Sequence, residues 1–173
     1  MFPKKQEYQI IIKIAEDENF INLDLCANEF IELIDDFRIN FLKKKYFILT
    51  AYNDDLLVGI LIAEAKIRKI DSFDKLLPKA RLYLLYVNPN FRGRQIGKKL
   101  LENYLKIQKE KGTAVVYVKL PQKYKKGIEF FIKANFSQAS KSNNNINLEF
   151  NLWNDYGITD YDLIDNSLND IFE

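Results

Sequence analysis

Leu85-Tyr86-Val87-Asn88-Pro89-Asn90-Phe91-Arg92-Gly93-Arg94-Gln95-Ile96-Gly97-Lys98-Lys99-Leu100-Leu101 is the stretch on which the reading of this chain turns. A run rich in Leu, Tyr and Val predicts a strand, Asn88-Pro89 a turn, and the apolar spacing from Ile96 onward an amphipathic helix. The first N–H groups of a helix have no partner within it, and the helix dipole places partial positive charge among them, so phosphate oxygens are favoured there. Arg92, Arg94 and Lys98 add full charges beside those amides, and Gly93 and Gly97 carry no side chain where a ligand must come close. The stretch therefore reads as an anion cradle; the plainer alternative is a basic loop that only opens a helix.

Outward from the cradle, residues 81–87 form the strand that delivers it. The helix, over about 95–111, places Ile96, Leu100, Leu101, Tyr104 and Leu105 on one stripe and stops at Gly112, the residue type expected just past a helix end. Residues 113–120 read as a very apolar strand that Pro121 halts. Further on, residues 137–142 and 145–153 read as a closing hairpin in which Ile146, Leu148, Phe150 and Leu152 alternate. Upstream, residues 46–51 and 56–66 predict a hairpin turned at Asn53-Asp54-Asp55, and residues 68–79 a polar loop or short helix. Residues 8–14 predict a first strand. Between about 22 and 42, Leu23, Cys26, Phe30, Leu33, Ile34, Phe37 and Phe41 recur at helical spacing. Lys43-Lys44-Lys45 would close that helix with positive charge.

Strand, Val-x-Pro, aromatic and Arg-x-x-x-x-Gly at a helix start resemble the acetyl-CoA-binding motif of the GNAT N-acetyltransferases, Gln/Arg-x-x-Gly-x-Gly/Ala. Arg92 and Gly97 match its first and sixth positions, and Gln95 stands where the fourth is usually Gly. The resemblance spans roughly residues 8–152. It implies an α/β fold, with a mixed, mostly antiparallel, splayed sheet of about six to seven strands flanked by helices. It further implies acetyl-CoA as acetyl donor and transfer to a primary amine of a small molecule or peptide. On this reading Arg92, Gly93, Arg94, Gln95, Ile96, Gly97 and Lys98 hold the pyrophosphate. Leu85, Tyr86 and Val87 meet the acetyl and pantetheine end, because strand N–H and C=O groups can pair with a peptide-like arm as an added strand would.

The proton chemistry departs from the family. Residues 126–136 are similar to its last helix, usually Ala-x-x-x-Tyr-x-x-x-Gly-Phe, but Gly127, Phe131 and Asn135 replace the Ala, Tyr and Gly. The family's Tyr often protonates the departing thiolate beside the cofactor; Phe131, here assigned to the cofactor site, cannot. Arg81 and Lys119 stand where Glu is found in members of the family, which would favour an anionic group on the acceptor. Tyr83 and Tyr124 are the candidates for relocated catalysis, with Glu64 as a base through water or simply as the ion-pair partner of a lysine. Acyl transfer tolerates such change, since proximity supplies about 7–11 kcal/mol of barrier reduction and positioned proton transfer about 10²–10⁴-fold. A module that holds an acyl-CoA as a regulatory ligand, with little turnover, is the competing reading.

Composition bounds the rest. The 173 residues, 47% hydrophobic and 14% aromatic, suit one domain with a substantial core, assigned to residues 1–153. Histidine is absent, which excludes a Ser-His triad, an imidazole base and His-containing zinc sites; Cys26 is the only cysteine, and no metal site is expected. No apolar run is fit to span a membrane, and residues 1–5 lack the pattern of a signal peptide, so a cytoplasmic protein is expected. Lys and Arg are dispersed over several elements, so nucleic acid is not an expected partner. Absence of Gly-x-x-x-x-Gly-Lys-Ser/Thr and Gly-x-Gly-x-x-Gly runs argues against other nucleotide-binding folds. Residues 154–173 form an acidic tail without Lys or Arg, in which Thr159 with Asp162 marks a helix start and Tyr161, Ile164, Leu168 and Ile171 a stripe. That stripe must cover its own domain or a second copy, so the chain is expected as monomer or homodimer.

Overall fold

In the computed structural model, residues 9–15, 36, 39–40, 43–66, 68–69 and 77–153 are described. Most of the first helix, residues 70–76 and the acidic tail lie outside them. The described elements are strands β1 (Ile10–Ile14), β2 (Tyr46–Asn53), β3 (Leu56–Glu64), β4 (Arg68–Lys69), β5 (Pro78–Val87), β6 (Val115–Pro121), β7 (Ser137–Lys141) and β8 (Asn145–Asn151), with helices α1 (Ile96–Glu110) and α2 (Lys125–Lys133). This is the α/β class expected from the sequence. The chain divides into two compact units. One takes the described residues up to Ala65 with Leu82–Tyr104; the other takes those within Lys66–Arg81 and from Leu105 onward.

In the first unit, β1, β2, β3 and β5 pair antiparallel in that order. Side chains from Val58 to Ala63 are buried without a break, so β3 reads as an apolar run rather than an alternation. Val58 is the extra residue where Ala51 pairs with Gly59 and Tyr52 with Leu57. A second irregularity lies on β5: Ile62 pairs with Leu84 and Ala63 with Leu82, which leaves Tyr83 as the extra residue of a bulge. Ile96, Leu100, Leu101 and Tyr104 of α1 are all buried, which bears out the predicted stripe. They come close to β3 because Gly59 makes room. A Cβ there would lie 3.0 Å from Leu100 Cδ1, 3.2 Å from Ile96 Cγ2 and 3.4 Å from the Tyr86 carbonyl oxygen.

In the second unit, β6, β8 and β7 pair antiparallel. The segment expected as loop or short helix over residues 68–79 begins and ends differently. Arg68 pairs with Lys79 and Lys69 with Pro78, so its described ends form a short ladder and β5 starts at Pro78 rather than at Arg81. Proline is tolerated there because it is the first residue of the strand. Gly112 has φ +82° and closes α1 as predicted. Beyond it the Thr113 hydroxyl donates to the buried Gln108 side chain at 2.8 Å, satisfying a polar pair inside the fold. α2 ends at Lys133, earlier than its sequence frame, and Asn135 at φ +71° takes the left-handed turn that Gly takes in the family.

The tight approach at Gly59 yields a stability test. Gly59→Val should destabilise the protein by about 1–3 kcal/mol through overpacking against Ile96 and Leu100. Urea denaturation checks this, and a neutral result would mean α1 is not held against β3 at this point.

Candidate functional site

Strand β5 ends at Val87, and Asn88 turns the chain, its N–H donating to the Val58 carbonyl at 2.8 Å and its side-chain oxygen accepting from Asn90 N–H at 3.0 Å. A single 3₁₀ turn, Pro89–Phe91, follows, with proline where its missing N–H costs nothing. Arg92 then reaches back: its Nε donates to the Val87 carbonyl at 2.9 Å, and its guanidinium lies 5.6 Å from the Tyr86 ring centroid. Because Nε is one of five guanidinium donors, the Arg92 head is fixed at the strand end while its terminal nitrogens keep the fork suited to phosphate. Arg94 stacks over Phe91 at 5.0 Å. Each of these two arginines thus has an aromatic ring that helps position it.

Two residues turn the chain into α1 through left-handed backbone. Gly93 has φ +78°, and a Cβ at that residue would meet nothing within 4 Å; Gln95 has φ +63°. Gly93 is therefore there for its conformation, and not to clear a crowded spot. Gln95 holds the same kind of conformation despite its Cβ, at a cost of about 1–2 kcal/mol. That explains why glycine is usual at this position of the motif. The Gln95 carbonyl accepts from Lys99 N–H at 3.0 Å, so Gln95 is the N-cap and the amides of Ile96, Gly97 and Lys98 are the leading donors of the helix.

The electrostatics are one-sided. No acidic residue occupies the first turn of α1, where a helix usually places one, and Lys98 and Lys99 sit there instead. Cations at that end oppose the dipole by about 0.3–1 kcal/mol each. Lys98 is offset by Glu102 at 3.9 Å, but both side chains are more than half exposed, so the pair is a weak surface contact. The first turn of the helix itself thus supplies no carboxylate beside these amides.

The structure therefore brings together, within the first unit, Leu85, Tyr86 and Val87 on β5 and the sequence-predicted cradle from Arg92 to Lys98. Tyr83 lies on the same strand. Its hydroxyl donates to Glu64 Oε1 at 3.3 Å, and its ring meets Tyr46 edge-on at 5.6 Å. The sequence offered Tyr83 and Glu64 separately, and Tyr46 not at all; no spacing rule links residues on two strands whose register is shifted by a bulge. Tyr124 and Phe131 belong to the second unit. Tyr124 is the N-cap of α2, half-buried, with Lys123 Nζ 5.3 Å from its ring centroid. Phe131 is buried, packed edge-on against Phe130 and Phe136 at 5.4 and 5.0 Å. Arg81 is half-buried on β5 and Lys119 exposed on β6. Among the described residues no cluster of His, Cys, Asp and Glu is placed to hold a metal, and no helix is long and apolar enough to cross a membrane.

The family model of the acetyltransferase (GNAT) domain matches residues 44–138. Among curated proteins, no sequence matches. Solved structures do. Arabidopsis thaliana NAA60, in complex with a bisubstrate analogue, is similar at TM-score 0.67 and 14% identity, over 83% of this chain and 98% of that one. A GNAT-family protein from Desulfovibrio desulfuricans is similar at TM-score 0.65 and 15% identity, over 83% and 99%. The PaiA N-acetyltransferase of Thermoplasma acidophilum, in complex with coenzyme A, is similar at TM-score 0.57 and 20% identity, again over 83% and 99%.

The left-handed loop makes its own prediction. Gly93→Ala should lower stability by about 1–2 kcal/mol, whereas Gln95→Gly should leave it unchanged or raise it, since relief of the left-handed cost offsets the added chain entropy. Paired urea titrations read the two signs; Gln95→Gly destabilising as much as Gly93→Ala would contradict this account of the loop.

Proposed function

This chain belongs to the GNAT acetyltransferase family, and on that premise we propose that it transfers an acetyl group from acetyl-CoA to a primary amine. The observation that carries the reading is the cradle: a helix start stripped of acids, lined by Arg92, Arg94, Lys98 and Lys99, and entered through left-handed Gly93 and Gln95. A pyrophosphate supplies the negative charge that this turn lacks. Arg92 holds it with its terminal nitrogens, and the amides of Gly93, Arg94, Gln95, Ile96, Gly97 and Lys98 bind its oxygens. The pantetheine arm then runs along the main chain of Leu85, Tyr86 and Val87. We assign the working domain to residues 1–153.

The fit of donor to residues is chemical as well as electrostatic. Main-chain N–H groups do the binding, so Gln at the motif's fourth position retains the donor that Gly would supply. The chemistry asked of the protein is modest: hold the thioester carbonyl and a neutral amine in contact, and carry a proton from nitrogen to sulfur. The coenzyme A in the Thermoplasma protein and the bisubstrate analogues in Arabidopsis NAA60 and Naa50, the latter built on the peptide MVNAL, support the donor and make a peptide amine a reasonable acceptor class.

Calorimetry with acetyl-CoA tests the reading, with desulfo-CoA and adenosine diphosphate as comparators. Binding in the micromolar range is expected, weaker for the diphosphate, and Arg92→Ala should weaken it by about tenfold or more, the loss of a charge-assisted contact. Thiol release on adding amines should follow. No binding at millimolar acetyl-CoA would overturn the reading; tight binding without turnover of any amine would leave an acyl-CoA-binding module instead.

A further inference from the structure

We propose that Tyr83 and Glu64 together carry the proton of the transfer reaction, replacing the tyrosine whose place Phe131 takes; this rests on the acetyl-transfer reading above. Three observations place the pair. Tyr83 is the extra residue of the β5 bulge, a device that re-aims a side chain within a sheet. At the bulge its side chain turns onto the face of β5 that carries Leu84 and Tyr86, where with Tyr46 it packs against those residues, Ile48, Ile60 and Ile62. Two strand residues span about 7 Å, so Tyr83 lies that far along β5 from the main chain of Leu85, where the acyl end of the donor is assigned.

The third observation is the bracing. The Tyr83 hydroxyl donates to Glu64 Oε1 at 3.3 Å, and the Tyr46 ring packs edge-on at 5.6 Å. Tyr46 is itself the strand partner of Glu64 across the β2–β3 ladder. The Tyr83 phenol is thus held by the Tyr46 ring from β2 and the Glu64 carboxylate from β3. Glu64 Oε2 is shielded from solvent, so the carboxylate is not an ordinary surface charge. Tyr104, by contrast, is packed into the core against Phe47.

The step balances with these two groups. The nitrogen lone pair of the neutral amine forms the C–N bond at the thioester carbonyl carbon, and the C–S bond breaks with its electrons passing to sulfur. Sulfur takes the phenolic proton of Tyr83. The Glu64 carboxylate takes the proton shed by nitrogen and returns it across the 3.3 Å contact to the Tyr83 oxygen. Amide and free thiol leave, and both side chains regain their starting states.

The test uses the full chain, acetyl-CoA, and a panel of free-N-terminal peptides, spermidine and an N-terminally blocked lysine peptide, read by thiol release. Tyr83→Phe and Glu64→Gln should each lower kcat about 100-fold with KM for acetyl-CoA unchanged, and the double variant should be no slower than either alone. Glu64→Gln can still accept the Tyr83 hydrogen bond, so its loss of rate separates proton transfer from mere bracing; thermal melts confirm that both variants fold. Wild-type turnover with kcat retained in either variant would overturn the pair and leave the transfer reading standing. Wild-type protein that binds acetyl-CoA but acetylates no amine, or binds none, would overturn both.

Discussion

The N-terminus of α1 must arrive at the end of β5 within a handful of residues, and the hydrogen bond from Arg92 to the Val87 carbonyl marks how that is done. The turn from Val87 to Ile96 reverses the chain between the strand end and the helix start. It runs through left-handed conformations at Gly93 and Gln95, with Asn88-Pro89 beginning the reversal. Once the helix start is fixed there, Ile96 and Leu100 fall onto Gly59, and the side-chain volume that β3 lacks at that residue is filled from α1. The same turn that closes the core leaves a row of helix amides beside a strand end.

That geometry accounts for the uneven distribution of charge. A helix whose first turn carries lysines and no acids is less stable than it could be, and Gln95 adds a backbone cost that glycine would avoid. Such local conflicts are expected at functional sites rather than at structural ones. An anionic ligand resolves the first conflict directly, since it supplies the charge the dipole favours. The aromatic rings of Tyr86 and Phe91 lie beside the Arg92 and Arg94 guanidinium groups and help hold them in place.

Much of this is legible in the sequence, for identifiable reasons. The α1 stripe is a 3.6-residue pattern sustained along the helix, and four of the five residues that the spacing names, Ile96, Leu100, Leu101 and Tyr104, are buried. Gly112 and Asn135 announce helix ends because few other residues tolerate positive φ. What escapes has physical causes too. The short ladder of Arg68 and Lys69 with Lys79 and Pro78 is too brief to show an alternation, and Pro78 reads as a breaker although it starts a strand. The Tyr83–Glu64 contact depends on a bulge, which slips the register by one residue and cannot be seen in either strand alone. The left-handed conformation of Gly93 adds a backbone reason for glycine that the sequence alone does not show.

The central claim is that the amides leading into α1 are the anion site. Backbone amide NMR during titration with coenzyme A tests it most directly, because it reports which N–H groups meet the ligand. The account predicts the largest shifts at Gly93, Arg94, Gln95, Ile96, Gly97 and Lys98, with a second set at Leu85, Tyr86 and Val87. Shifts of similar size scattered over surface lysines, with those amides unmoved, would contradict it.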